Sequence, residues 1–305
     1  MAHCPVCSEP VDSVFQEPRD RSYRFLRCGG CDLIFTDPMP SPDGGWYEKQ
    51  TMYIVRDQLM SGSLQWNHQQ LLKDRPAAGG RLLDVGCGTG EFLSAAKQAG
   101  YQVSGFDFDS QAIETAKKRF HLENLAAGDL FGFQEVHRQE PFQVVTAFEV
   151  LEHSPEPGRF MEALSDLTAP GGYLAISVPN RNRWPKFQYD WDLPPNHLTR
   201  WSAEALNRLL QKNGFEVLRT GFGWRQGEPW LHQKLQFGLV SRLAKKRTEE
   251  PARQNGRSSL RATKTAYQIK SAAIKGLAVP VNLGLGLLGE TGMTLYLLAR
   301  KNHAG

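Results

Sequence analysis

Cys4-Pro-Val-Cys7 and Cys28-Gly-Gly-Cys31 form two Cys-x2-Cys pairs with 20 residues between them. That spacing suits one tetrahedral four-cysteine zinc site, and four thiolates leave such a metal no open position. Cys4, Cys7, Cys28 and Cys31 are therefore expected to hold a structural zinc ion in a ribbon too small to carry a core of its own. A second group lies at 82–93, Leu-Leu-Asp-Val-Gly-Cys-Gly-Thr-Gly-Glu-Phe-Leu. An apolar run leads into Gly86, Gly88 and Gly90, which allow a left-handed backbone and the close approach of a ligand. The free N–H groups of a helix start would follow. The spacing is G-x-G-x-G rather than the G-x-G-x-x-G of dinucleotide sites. Asp84 stands just before the loop, Asp107 lies 17 residues past Gly90, and Asp129 sits in Ala-Gly-Asp-Leu. Three carboxylates disfavour a phosphate ligand and suit a cationic one. Two imidazoles complete the set: His153 in Glu149-Val-Leu-Glu-His, and His197 in Asp192-Leu-Pro-Pro-Asn-His-Leu-Thr-Arg-Trp201. Either could take a proton near neutral pH, or serve only as a structural group bonded to backbone.

These residues need a scaffold, and its rhythm is legible. Strand-like runs occur at Arg81–Val85, Gln102–Phe106, Gln143–Phe148, Tyr173–Val178 and Phe215–Thr220. Helical stretches fall between them at Glu91–Ala99, Ser110–Arg119, Glu156–Leu167 and Ser202–Asn213. Strands alternating with helices mean βαβ units and a parallel sheet covered on both faces, an α/β doubly wound class. Ser110 and Ser202 are expected as helix N-caps, and Gly100 and Gly214 as helix-ending glycines. In the cysteine module, Tyr23–Leu26 and Leu33–Phe35 read as strands, with Gly29-Gly30 as the tight turn. The expected organisation is a zinc ribbon at 1–40, a helical linker at 41–78, a core at 79–222 and 292–305, and an insertion at 223–291.

The strings Leu83-Asp-Val-Gly-Cys-Gly-Thr-Gly90, Asp107, Gly128-Asp129 and Phe148-Glu-Val-Leu-Glu-His153 resemble the class I S-adenosylmethionine-dependent methyltransferases. The resemblance runs from 80 to 220 and resumes at a final strand near Thr294–Arg300. It implies a seven-stranded, mostly parallel sheet with the last two strands antiparallel and the helical insertion before the final one. It also implies that Asp84, Gly86, Cys87, Gly88 and Gly90 hold the methionine part of the cofactor. Asp107, with Phe108 beside it, would bind the ribose, Asp129 with Leu130 the adenine, and Glu149 would complete the pocket. Cys87 lies inside that loop and reads as packing rather than as a nucleophile. Glu149, Glu152 and His153 resemble the E-x-x-E-H pattern of ubiquinone-biosynthesis O-methyltransferases, where it is implicated in divalent metal binding. A structural helix start is the preferred reading here. His197 and His153 are the candidates for catalysis or substrate contact.

The chain has 305 residues and a formal net charge of +4, from 36 basic and 32 acidic residues. That balance excludes a histone-like or strongly acidic protein. Between residues 233 and 275 stand eleven basic residues and only two acidic ones. Leu231, Leu235, Leu239 and Leu243 recur there at helical spacing. The insertion could cap the active site, meet an anionic membrane surface through 231–289, or bind RNA, with the cap preferred. The N-terminus shows no secretory pattern, so a cytoplasmic location is the expectation, with peripheral membrane contact as the second option. The expected acceptor is a small molecule: a sugar, a quinone-type lipid or a secondary metabolite. Nucleic acid is not an expected partner, since the N-P-P-Y-type tetrad of base-amine methylation is missing. An RNA methyltransferase and a non-enzymatic S-adenosylmethionine-binding protein are the alternatives.

Overall fold

A computed structural model describes residues 2–16, 22–39, 64–183, 192–223 and 292–303, together with Gly276, Val279, Pro280 and Leu283. The chain packs as one unit of Met1–Arg181, Gln188–Phe222 and Thr294–Gly305, with a second unit of Asn182–Phe187 and Gly223–Met293. The leucine repeat of 231–243 and the rest of the basic segment lie outside the described residues. Among those that are described, no helix is long and apolar enough to cross a membrane.

The first unit is built on a seven-stranded sheet. Its strands are β6 (Arg81–Val85), β7 (Gln102–Asp107), β8 (Leu125–Ala127), β9 (Phe142–Phe148), β10 (Thr168–Pro179), β12 (Phe215–Phe222) and β13 (Thr294–Lys301). They lie in the order β12-β13-β10-β9-β6-β7-β8, and only β13 runs antiparallel to its neighbours. The central strands read as unbroken apolar runs because helices cover both faces. Leu82, Leu83, Val144, Val145, Leu174 and Ile176 are all fully buried, each contributing roughly 1.5–3 kcal/mol of transfer free energy.

Six helices are described: α1 (Trp66–Asp74), α2 (Glu91–Gln98), α3 (Ser110–Phe120), α4 (Leu130–His137), α5 (Pro157–Leu167) and α6 (Ala203–Lys212). Ser202 caps α6, its hydroxyl accepting from Ala205 N, as its sequence position predicts. The cap of α3 is Asp109 and not Ser110. Asp109 Oδ1 accepts from Gln111 N and Ala112 N, which leaves Ser110 as the first helical residue. The helix α4 is unexpected, since Leu130-Phe-Gly-Phe133 has no helical apolar spacing and carries a glycine. Asp129 starts it by accepting from Phe131 N and Gly132 N. In the linker, α1 ends at Arg75, which is left-handed (φ 44°) and immediately precedes Pro76.

The cysteine module carries β1 (Ala2–His3) and β2 (Pro10–Val11) as one pair. A second sheet holds β3 (Val14–Gln16), β4 (Arg24–Arg27) and β5 (Ile34–Asp37). Its two cysteine turns are built alike. Cys4 N donates to Glu9 O and Cys28 N to Leu33 O, while Ser8 N and Asp32 N return to Cys4 O and Cys28 O. The left-handed residue in each turn follows the second cysteine, at Ser8 (φ 64°) and Asp32 (φ 63°), so the Gly29-Gly30 pair does not supply it. The sheet gains a fourth strand, β11 (Thr199–Arg200), which pairs antiparallel with β5. Leu26, Leu33 and Phe35 of the module join Trp201, Leu206 and Leu209 in one hydrophobic cluster.

Candidate active site

Parallel strands release their loops at one edge of the sheet, and there the sequence-predicted residues gather. Gly86 N and Cys87 N both donate to Phe106 O, folding the glycine loop over the end of β7. Gly86 is left-handed (φ 75°), and a Cβ added to it would sit 2.6 Å from Val150 Cγ2. Gly88 is left-handed too (φ 50°), but a Cβ there would meet nothing within 4 Å. Gly86 is thus needed for packing, whereas Gly88 faces open space large enough for a ligand to approach the backbone.

Asp107 ties this loop to β7. Its Oδ2 accepts from Gly88 N at 2.8 Å and its Oδ1 from Asp109 N at 2.9 Å. Asp84 is buried beneath the loop and receives the Thr146 hydroxyl at 2.6 Å. Burial pushes its pKa up to about 7; the Thr146 hydrogen bond opposes the rise and the nearby Asp107 charge adds to it. Burial also raises the Cys87 thiol, and the charges of Asp84 and Asp107 add to the effect, so Cys87 is a protonated packing residue. Phe108 is 60% exposed beside Asp107. Asp129 caps α4, and Leu130 behind it is buried.

Glu149 leaves β9 in a left-handed conformation (φ 57°) rare for a residue with a side chain. Its N–H donates to Ser177 O and its Oε1 accepts from Ser177 Oγ at 3.0 Å. Ser177 in turn accepts from Asn67 Nδ2 at 2.8 Å. Sequence reasoning missed Asn67. Its signal is a polar residue four before Leu71 on the buried stripe of α1.

The two histidines meet. His153 ends the 3-10 turn Leu151–His153, and its Nδ1 lies 2.6 Å from Asn196 O. A carbonyl only accepts, so Nδ1 donates there. His197 packs edge-on against it with ring centroids 4.8 Å apart. Its Nδ1 faces Asp192 Oδ1 at 3.4 Å. Both Nε2 atoms turn toward buried Glu152 Oε1, at 3.8 and 3.9 Å. Glu152, His153 and His197 group their possible ligand atoms within 4.8 Å, and Glu149 is not in that group. Asp192 had no role in the sequence reading, although it stands in the same short string as His197.

A family model described as a methyltransferase domain matches residues 58–220, more than half of the chain. The protein belongs to that family. Among relatives of this chain, the ubiquinone biosynthesis O-methyltransferase of Leptothrix cholodnii is 32% identical over 199 residues, which is 56% of this chain and 81% of that protein. The enzyme of the same name from Ralstonia nicotianae is 31% identical over 144 residues, covering 45% of this chain and 57% of its own length. The one from Thiobacillus denitrificans is 38% identical over 144 residues, 45% and 59% of the two chains. The match thus spans less than two thirds of the length of those last two relatives.

Solved structures share the fold of this chain at low identity. A SAM-dependent methyltransferase from Archaeoglobus fulgidus superposes with a TM-score of 0.53 at 18% identity, covering 82% of this chain and 99% of that one. Phosphoethanolamine N-methyltransferase 2 of Haemonchus contortus, in complex with S-adenosyl-L-methionine, gives 0.55 at 15% identity, over 89% and 62%. The [4+2]-cyclase SpnF gives 0.52 at 20% identity, over 87% and 99%. The seven-stranded Rossmann-like methyltransferase sheet read from the sequence is the observed fold.

Proposed function

We propose that the protein transfers a methyl group from S-adenosylmethionine to a hydroxyl oxygen of a small, ring-bearing acceptor of the phenol or quinol type. The observation that carries this is the placement of an acid-lined glycine loop and a Glu152–His153–His197–Asp192 cluster at the same edge of one sheet. Bound there, S-adenosylmethionine would supply a methyl already activated on its sulfonium. Gly88, with Asp84 and Glu149, would receive the amino-acid end. Asp107 would take the ribose hydroxyls, and Asp129 with Leu130 the adenine. A hydroxyl acceptor must lose a proton, and His197 is the group to take it. Asp192 holds the His197 Nδ1 side, which leaves Nε2 as the basic nitrogen. The relatives' names, as O-methyltransferases of ubiquinone biosynthesis, support an oxygen acceptor on a quinol-type ring.

The four cysteines fit a structural zinc ion, held in a reducing cytosol where thiols stay free. Cys4 Sγ and Cys31 Sγ lie 3.4 Å apart, as do Cys7 Sγ and Cys28 Sγ. A tetrahedron with about 2.3 Å zinc–sulfur bonds has edges of roughly 3.8 Å, so a small relaxation accommodates the metal.

The test is S-adenosylhomocysteine formation with a panel of catechols, quinols and sugars. Methylated product at a hydroxyl supports the reading. Tight S-adenosylmethionine binding with no turnover on any of them would favour a binding protein, and the shared fold of a cyclase makes this control necessary.

A further inference from the structure

We propose that Asp32, next to the zinc-type ligand Cys31, is a positioning residue that fixes the His197 segment onto the cysteine module, so that the module is a structural part of the active site. This rests on the reading of His197 as the acceptor-side base.

The chain leaves β10 at Pro179, two residues before Arg181, and enters α6 directly after its cap, Ser202. Arg181 and Ser202 bracket the stretch that carries Asp192 and His197, and Asp32 grips both. Arg181 donates through one guanidinium nitrogen to the Asp32 carboxylate and through another to the Asp32 carbonyl. Ser202 Oγ donates to Asp32 Oδ2 at 2.9 Å. Arg27 Nε closes the third side at 2.8 Å, on Oδ1. Arg181 and Asp32 are largely buried, with side chains 13% and 16% exposed. An ion pair in such a place is far less screened than one on the surface. The carboxylate can reach both groups because Asp32 is left-handed, in the turn that presents Cys28 and Cys31 to one another.

A backbone ladder runs between these anchors. Leu198 N donates to Glu152 O at 2.8 Å, and Leu198 O accepts from Thr36 N at 3.0 Å. The peptide after His197 is thus held from the core on one side and from the cysteine module on the other. Thr199 and Arg200 then pair with Phe35 and Ile34. The Arg200 guanidinium lies 3.6 Å from the centre of the Phe25 ring, and Arg181 N bonds Trp201 O at 2.9 Å. His197 sits one residue before this clamped run. A slip of one residue in β11 would turn its side chain to the opposite face. In a chain whose cysteine module were an independent nucleic-acid reader, none of these links to the catalytic edge would be needed.

The test uses the full-length protein with its zinc. Asp32→Asn keeps the shape but removes the charge, Arg181→Met cuts the same link from the core side, and Arg27→Met leaves both bracket contacts in place. Three readouts are taken: zinc content, S-adenosylmethionine affinity by calorimetry, and residue-level amide exchange with the His197 ring signals by NMR. Asp32→Asn and Arg181→Met are expected to hold zinc and bind S-adenosylmethionine within about twofold of the parent. Exchange at Leu198, Thr199 and Arg200 should rise by about tenfold or more, as in local opening, with displaced His197 ring signals. Arg27→Met should change none of these. Unchanged exchange at 198–200 in both clamp variants would overturn the proposal. So would a uniform rise across β6 and β9, which would make Asp32 a general stabiliser. If Asp32→Asn does not fold, Arg181→Met decides by the same criteria. Failure of the functional reading shows separately, as a parent protein that forms no S-adenosylhomocysteine whatever the exchange pattern.

Discussion

Thr146 and Asp84 are direct partners across the β6–β9 ladder, and the Thr146 hydroxyl lies 2.6 Å from Asp84 Oδ1. The pair forms the buried floor under the glycine loop. Its hydrogen bond favours the carboxylate, yet burial outweighs it and the pKa rises to about 7. The folded protein therefore retains a proton that the unfolded chain gives up near pH 4. Stability associated with Asp84 is fully present below that pH and is lost as the pH rises toward 7. A shift of about three units corresponds to an upper bound on the order of 4 kcal/mol. Chemical denaturation of the ligand-free protein at pH 5 and pH 8 should show this loss, and Asp84→Asn should remove it. A cationic ligand amine reverses the preference. S-adenosylmethionine affinity should climb between pH 6 and 8 in the parent and stay flat in Asp84→Asn.

Two glycines of the same loop should fail differently. Gly86→Ala forces a left-handed alanine against Val150 Cγ2 at 2.6 Å. The cost is about 1–2 kcal/mol for the backbone and about 1–3 kcal/mol for the overpacking. The expected result is a lower midpoint in urea, partly recovered by adding Val150→Ala. Gly88→Ala has the backbone cost without the clash, so its stability falls by only about 1–2 kcal/mol. Its Cβ enters the open space above the loop, and calorimetry should show at least a tenfold loss of S-adenosylmethionine affinity.

The parts of this site that were legible in the sequence are those set by local chemistry. Leu82-Leu-Asp-Val placed β6 and its acid, and the glycines placed the turn after it. What stayed hidden depends on partners far along the chain. Thr199–Arg200 is a strand only because Phe35 and Ile34 are there to pair with it. Asp192 and His197 stand five residues apart with two prolines between them, and no periodicity says that such a stretch folds back on itself. Asp109 and Ser110 are both good cap residues, so composition could not choose between them. Asp32 looked like one more charge on a balanced module until Arg181 and Ser202 appeared beside it.

Glu149 tests whether its left-handed backbone is strained. Glycine normally destabilises relative to alanine by about 0.5–1 kcal/mol in regular structure. At φ 57° the order should reverse. Glu149→Gly should be more stable than Glu149→Ala by about 1 kcal/mol in equilibrium unfolding, since both lack the side-chain hydrogen bond from the Ser177 hydroxyl and differ only in the Cβ. An alanine variant equal to or better than the glycine one would show that the position is unstrained.

On the acceptor side, His197→Gln should lower kcat by about 10²–10⁴ with little change in S-adenosylmethionine affinity, the usual range for loss of a general base. Asp192→Asn should fall between this variant and the parent, because the imidazole remains but its Nδ1 side loses the carboxylate. Equal rates for His197→Gln and the parent on a hydroxyl acceptor would remove His197 from the chemistry.

Metal removal should be felt throughout the first unit. Leu26, Leu33 and Phe35 of the cysteine module share one hydrophobic cluster with Trp201, Leu206 and Leu209. Lys212 Nζ also donates to Val6 O at 2.7 Å, and Arg208 reaches the Gly30 carbonyl. With so much common surface, the module and the sheet should unfold in one calorimetric transition, as a single cooperative unit does. Chelation, or Cys31→Ser, should lower that single midpoint, because binding energy for the metal is also folding energy. Two separate transitions, with only the smaller one sensitive to chelator, would show instead that the module folds by itself and merely rests on the sheet.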